Sequence, residues 1–257
     1  MRRTPLLVAV LLCALAACSS GSTDPGSADS LKAPVDGTCR NLTPADLVST
    51  TNATSTVDCT RAHTAETFTH GAFPAGAALD DEKLGGYVYP RCSTAFEKYL
   101  GGDDSLVLRA TVTWAWFRPS KKAWKKGARW YRCDVVGGGE QSPSLLRLPA
   151  KPKNILLGKP DDKWMVCANG PSVNESPKVP CTQKHTWRAV TTIVVGRDGD
   201  PYPGDDDVEA RTRDYCSDSV GAWLNYPVDY DYGYTWFHEA EWKAGNRRSI
   251  CWAQTEK

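Results

Sequence analysis

Trp124-Lys125-Lys126-Gly127-Ala128-Arg129, closed by Cys133, and Trp242-Lys243-Ala244-Gly245-Asn246-Arg247, closed by Cys251, are two readings of one pattern, W-K-x-G-x-R-x-x-x-C. Working back from each copy, the same landmarks recur in the same order. Cys39, Cys59 and Cys92 precede the first; Cys167, Cys181 and Cys216 precede the second. A histidine follows the second cysteine of each set, His63 and His185, and a Trp-Phe pair lies upstream of each motif, Trp116-Phe117 and Trp236-Phe237. Internal similarity sets the architecture before any local pattern is weighed. It predicts a tandem duplication and supplies a comparison within the chain: features in both halves serve the fold, whereas features in one half are free to serve function.

The N-terminus carries Arg2 and Arg3, an apolar run from Leu6 to Leu15, and then Ala16-Ala17-Cys18 ahead of small polar residues. This is the pattern of a secretion signal over residues 1–17, and the run is too short for a helix to cross a hydrocarbon core of about 30 Å. Leu15-Ala16-Ala17-Cys18 resembles the bacterial lipobox, in which the cysteine is acylated and becomes the first mature residue. The expectation is a palmitate-type lipid anchor on Cys18 and a protein held at the outer face of the cell membrane. Residues 18–35 are small and polar and read as a flexible tether. The chain has 31 basic residues, of which Arg2 and Arg3 leave with the signal, against 30 acidic ones. Near-neutrality gives no support to a nucleic-acid partner.

Export also bears on the cysteines. Of ten, Cys13 lies in the signal and Cys18 takes the lipid, which leaves four per half. In an oxidising compartment these pair as disulfides. Each set of four allows three pairings; we expect Cys39–Cys59, Cys92–Cys133, Cys167–Cys181 and Cys216–Cys251, since the later pair in each half would staple a helix to a strand. A zinc site using Cys59 and His63 is the competing reading, disfavoured because no C-x-x-C occurs.

The halves are predicted as an α+β domain at 36–137, a linker at 138–157 and a second α+β domain at 158–257. Each should hold a small, mostly antiparallel sheet and one main helix. Strands are expected over 64–73 and 186–195. In the second half Val208, Thr212, Cys216, Val220 and Trp223 recur at helical spacing; in the first, Pro90 suggests a helix that starts there, with Cys92, Ala95, Phe96 and Tyr99 inward and Gly101 past its end. Period-two runs at Leu106–Trp116 and Tyr226–Trp236 predict a strand with one buried face.

No residues advertise catalysis: G-x-S-x-G, S-x-x-K, H-E-x-x-H and a phosphate-binding glycine loop are all absent. His63 and His185 are duplicated among different neighbours, Glu66 beside one and Arg188 beside the other, so each is read as tying a turn to a carbonyl. Asp198-Gly199-Asp200 with Glu209 imitates a calcium loop, but Tyr202 and Pro203 stand where a ligand and the turn glycine belong. No metal or cofactor is predicted. Tyr226 to Trp236, with Asp229 and Asp231, can stack on sugars but reads better as core. The feature present in one half only is a basic stretch: Lys121, Lys122, Trp124, Lys125, Lys126, Arg129 and Trp130, flanked by Arg118 and Arg132 and free of acidic residues. It is the candidate binding surface, for anionic lipid or an anionic wall polymer.

The order of four cysteines, Val-Asp-Cys59-Thr-Arg-Ala-His63-Thr-Ala-Glu66, and Trp124-Lys-Lys-Gly127 with Cys133 resembles the septum formation-related domain of actinobacterial envelope proteins. Val-Pro-Cys181-Thr-Gln-Lys-His185 and Trp242-Lys-Ala-Gly245 look like a diverged second copy. The family motif commonly continues from His to Glu; Glu66 keeps it and Arg188 departs. The resemblance implies an association with cell division and no defined chemistry. The reading is a lipid-anchored, non-enzymatic envelope protein that binds a protein or wall polymer; the alternative is a carbohydrate-binding or hydrolytic wall enzyme using the cleft between the halves.

Overall fold

A computed structural model describes residues 24–139 and 142–255. The first half runs β1 (Cys39–Arg40), β2 (Thr56–Val57), β3 (Ala65–Ala72), α1 (Lys83–Leu100), α2 (Asp104–Leu108), β4 (Thr113–Phe117), α3 (Lys121–Lys125) and β5 (Trp130–Val136). The second runs β6 (Val166–Ala168), β7 (Lys178–Pro180), β8 (Trp187–Val194), α4 (Asp205–Trp223), β9 (Tyr232–Thr235), α5 (Glu239–Ala244) and β10 (Arg248–Gln254). Each half forms a five-stranded antiparallel sheet, ordered β2-β1-β3-β5-β4 and β7-β6-β8-β10-β9, so the same strand order occurs twice. The architecture is α+β.

Alternation along β5 explains the layering. Tyr131, Cys133 and Val135 point to one face, where Leu84, Val88, Cys92, Phe96 and Leu100 of α1 recur at four-residue spacing and bury against them. The same relation holds between α4, through Cys216 and Val220, and Cys251 of β10. Disulfides join Cys92 to Cys133 and Cys216 to Cys251, stapling helix to strand in both halves, while Cys39–Cys59 and Cys167–Cys181 tie the sheet edges.

Several elements differ from the sequence reading. Helix α1 starts at Lys83 and runs through Pro90. Proline removes one helical N–H and crowds the carbonyl four residues earlier, which here belongs to exposed Gly86, free to turn that carbonyl to water. The long period-two strands shorten to β4 and β9. Asp103 accepts a hydrogen bond from Leu106 N and starts the α2 turn, so Leu106 and Leu108 are helical. In the second half Asn225 and Tyr226 take positive φ ahead of Pro227, leaving Tyr226 and Val228 exposed. Trp223, expected on the buried face of α4, is 49% exposed at the helix end.

Residues 24–35 of the predicted tether and 142–157 of the predicted linker also pack into the fold. From Asp24 the chain packs on the face of the first sheet opposite α1: Trp130 Nε1 donates to Ser30 O, Arg132 to Gly26 O, and Arg40 Nη2 to Pro25 O at 3.1 Å. Small polar residues gave no hint of this, because the groups that bind are main-chain carbonyls. Arg40, Arg132 and Asp134 are wholly buried beneath this strap. Asp134 accepts from Thr67 Oγ1 at 2.7 Å and from Arg132 Nε at 2.9 Å, and Arg40 Nη1 donates to Thr67 Oγ1 at 3.1 Å. Burial lowers the Arg40 guanidinium to about 10, with Arg132 adding repulsion. Further along, Leu148 pairs with His63 and Leu156 is buried against the end of α1.

The two sheets pack against each other through α2. Arg248 holds Asp104 with Nε at 2.6 Å and Nη2 at 2.5 Å, and its Nη1 reaches Thr192, which donates to Ser105. Arg109 donates to Val190 O while its own carbonyl accepts from Val166 N, and Leu106 packs on Met165 and Cys167.

Candidate functional site

The repeated motif closes a tight turn between a short helix and the last strand. Gly127 and Gly245 stand just past α3 and α5 with φ of 97° and 114°, a conformation suited to glycine. Arg129 lies 4.4 Å over the Trp124 ring and donates to Trp124 O and Ala128 O. Arg247 lies 3.6 Å over Trp242 and donates to Trp242 O and Asn246 O. The tryptophans plug the cores, and the arginines seal them with a cation–π contact and two hydrogen bonds. This arrangement divides the candidate binding stretch. Trp124 and Trp130 are 7% and 4% exposed, and Arg129 is half-buried in the staple, so packing accounts for all three. Arg118 and Arg132 likewise spend their guanidiniums on internal carbonyls. Lys121, Lys122, Lys125 and Lys126 remain exposed on the outer side of α3, since Ala123 and Trp124 take the inner side.

Both histidines sit alike. His63 Nδ1 meets Arg61 O at 2.9 Å and His185 Nδ1 meets Gln183 O at 2.7 Å; a carbonyl only accepts, so Nδ1 carries the proton. Each therefore ties the turn after the second cysteine. His63 Nε2 is buried and makes no hydrogen bond among the described residues. Glu66 lies beside it, accepting from Tyr99 Oη at 2.8 Å. Burial pushes the Glu66 carboxyl above its ordinary range, opposed by the Tyr99 bond and the neighbouring His63. Cys39 Sγ, a ring nitrogen of His63 and a carboxylate oxygen of Glu66 fall within 4.8 Å of one another. Cys39 is spent in its disulfide and offers no thiolate, so this trio lacks the ligand that zinc would need. In the second half Arg188 takes Glu66's place in the pattern and pairs with Asp162 at 2.6 Å.

Sequence reasoning named the cleft between the halves but not its lining. It has a volume of about 360 Å³ and is walled by Tyr89, Glu97 and Trp114 from the first half and Arg197, Asn246 and Arg248 from the second, with Asp104 at the join. The Tyr89 and Trp114 rings lie 5.5 Å apart. Tyr89 is pushed up to about 12 by burial and, next, by Glu241, and therefore stays a neutral hydroxyl. Burial, then the charge of Asp104, raises the Glu97 carboxyl. Arg248 holds Asp104 in place through two guanidinium contacts. Aromatic faces, a carboxylate, a guanidinium and an amide converge on one concave site. Within the tyrosine stripe, Tyr230 and Tyr234 instead pack inward: Tyr230 donates to Ser217 O and Tyr234 to Glu209, both on α4. The signal over 1–17 and Cys18 fall outside the described residues, and among those described no helix is long and apolar enough to cross a membrane.

No curated protein and no solved structure matches the chain significantly. A family profile described as septum formation matches residues 36–251, from just before Cys39 to Cys251, and so spans both sheets and all four disulfides. The chain belongs to the septum formation family.

Proposed function

We propose that this is a lipid-anchored, non-enzymatic protein of the outer membrane face that contributes to septum formation by binding a saccharide of the cell wall in the cleft between its two sheets. One observation carries the reading: the cleft joins ring faces from Tyr89 and Trp114 to Asp104, Arg248 and Asn246 across both halves. Pyranose rings present apolar C–H faces that stack on aromatics and a rim of hydroxyls that carboxylates, guanidiniums and amides bind. The repeated strand order and disulfide pairing support an origin by internal duplication, after which the space between the copies was free to become a site. Membership of the septum formation family ties the role to division; the lipobox at Cys18 supports the anchoring.

The test is retention on purified wall glycan. Trp114→Ala should weaken binding by roughly 10- to 30-fold, the scale for losing a central tryptophan anchor, measured under conditions where a urea titration shows the variant fully folded, since Trp114 also packs on the core. Equal retention of variant and wild type contradicts the cleft. A second reading, hydrolysis of the same saccharide, is favoured by two carboxyls in the cleft, Glu97, raised by burial and then by Asp104, and Asp104 itself, the pairing of carboxyls that glycoside cleavage uses. Release of new reducing ends that is lost in Glu97→Gln supports hydrolysis; binding without release supports the binding protein.

A further inference from the structure

We propose that Lys32, Lys121, Lys122, Lys125 and Lys126, with exposed Leu31 among them, form a face that docks on the anionic headgroups of the membrane carrying the lipid anchor; the proposal rests on the anchored reading of Cys18. The strap places this face beside the chain's exit. Pro25, Asp29, Leu31, Lys32, Lys122 and Lys126 line one depression of about 300 Å³, so the first described residues border the lysines directly. Their position is fixed: Ser120 donates to Asp29 at 2.6 Å, Lys122 pairs with Asp29 at 3.0 Å, and Ser120 N donates to Ala28 O at 2.7 Å. Six peptide units separate Asp24 from Cys18, and even fully extended they span at most about 21 Å. An acyl chain on Cys18 therefore tethers the lysine face close enough to reach the headgroups, and each lysine contributes once it lies within a Debye length of them.

Chemistry favours lipid over a soluble polyanion. Leu31 is 55% exposed and lines the same depression as Lys32, Lys122 and Lys126, as suits an interfacial apolar residue beside cations. A single lipid-modified site is commonly reinforced by a polybasic patch, and here both lie at one end of the first half. The matching surface of the second half carries Glu239 and Glu241 around Lys243, with Glu239 paired to it at 3.0 Å. A face present in one half, at the anchored end, is not demanded by the shared fold.

The test uses the mature chain carrying Cys18→Ser, so that no acyl chain contributes, floated with phosphatidylcholine vesicles with and without phosphatidylglycerol. Binding should require phosphatidylglycerol and fall with added salt. Changing Lys121, Lys122, Lys125 and Lys126 to Gln should weaken it on the order of 100-fold, fewer decades than four free charges imply because Asp29 already occupies Lys122. Asp29→Asn should tighten binding several-fold, a gain that no loss of folding imitates. Equal binding to both vesicle types, an unaffected Gln variant, or retention on an anionic wall polymer without vesicle binding overturns the proposal. Fatty-acid labelling of the wild-type chain against Cys18→Ser tests the anchor separately, and its failure removes the anchored reading while the vesicles still decide the face.

Discussion

Asp134→Ala should be among the most destabilising substitutions in the chain, and the reason lies in a buried charge count. Under the strap two guanidiniums, Arg40 and Arg132, are wholly buried around one wholly buried carboxylate. Removing Asp134 leaves Thr67 Oγ1 and Arg132 Nε without their acceptor and leaves two like charges facing each other where water cannot screen them. Breaking a buried ion pair from one side costs about 3–5 kcal/mol, several times the 0–1 kcal/mol of an exposed pair. With a urea m-value of about 2 kcal/mol/M, the midpoint should drop by roughly 1.5–2.5 M. Urea titration followed by tryptophan fluorescence reads this directly, and Asp134→Asn, which keeps one acceptor oxygen, should fall between. Because the Pro25 and Gly26 carbonyls accept from Arg40 and Arg132 respectively, deleting residues 24–35 should be strongly non-additive with Asp134→Ala. A loss below about 1 kcal/mol, or simple additivity, refutes the view that the strap and the ionic network are one unit.

Other expectations follow from the same structure. Glu66→Gln should stabilise the protein at neutral pH by about 0.5–1.5 kcal/mol, since an amide avoids burying a charge, keeps an acceptor for Tyr99 and brings a donor toward His63 Nε2. The folded state raises the Glu66 pKa, so it binds more protons than the unfolded chain; wild-type stability should fall as pH rises from the ordinary glutamate value through the raised one, and Glu66→Gln should flatten that slope. Denaturation curves at several pH values check both points. Arg247→Ala should cost about 1–3 kcal/mol through the lost Trp242 stack and two carbonyl bonds, measurable as a lower melting temperature. Arg248→Ala should loosen the two halves, seen as faster hydrogen exchange in 104–111 and 164–166 with the interiors of both sheets still protected.

The parts legible in the sequence were those with a side-chain period or a duplicated landmark. The cysteine order, the histidine turns and the helical spacing of Cys216 with Val208, Thr212 and Val220 each leave a mark on side-chain identity, and the recurrence of cysteines and histidine in both halves made those marks readable. What escaped was carried by backbone. The strap binds through the carbonyls of Pro25, Gly26 and Ser30, which any residue possesses. Pro90 looked like a helix start because the tolerance of Gly86 is a property of context. The tryptophans of the basic stretch looked like contact residues, since alternation with lysine on a five-residue helix does not reveal which side faces in. The repeated W-K-x-G-x-R could have warned against it: the half without a basic face has the same Trp and Arg. The cleft draws residues scattered from Tyr89 to Arg248, and no local window contains them.

The most direct test of a site built jointly by both halves is a chemical-shift map of the mature chain titrated with a soluble wall glycan fragment. The account predicts saturable shifts at the Trp114 indole and at Tyr89 in the first half together with Asn246 and Arg248 in the second. Shifts confined to one half or to the lysine face, or none at all, would contradict it.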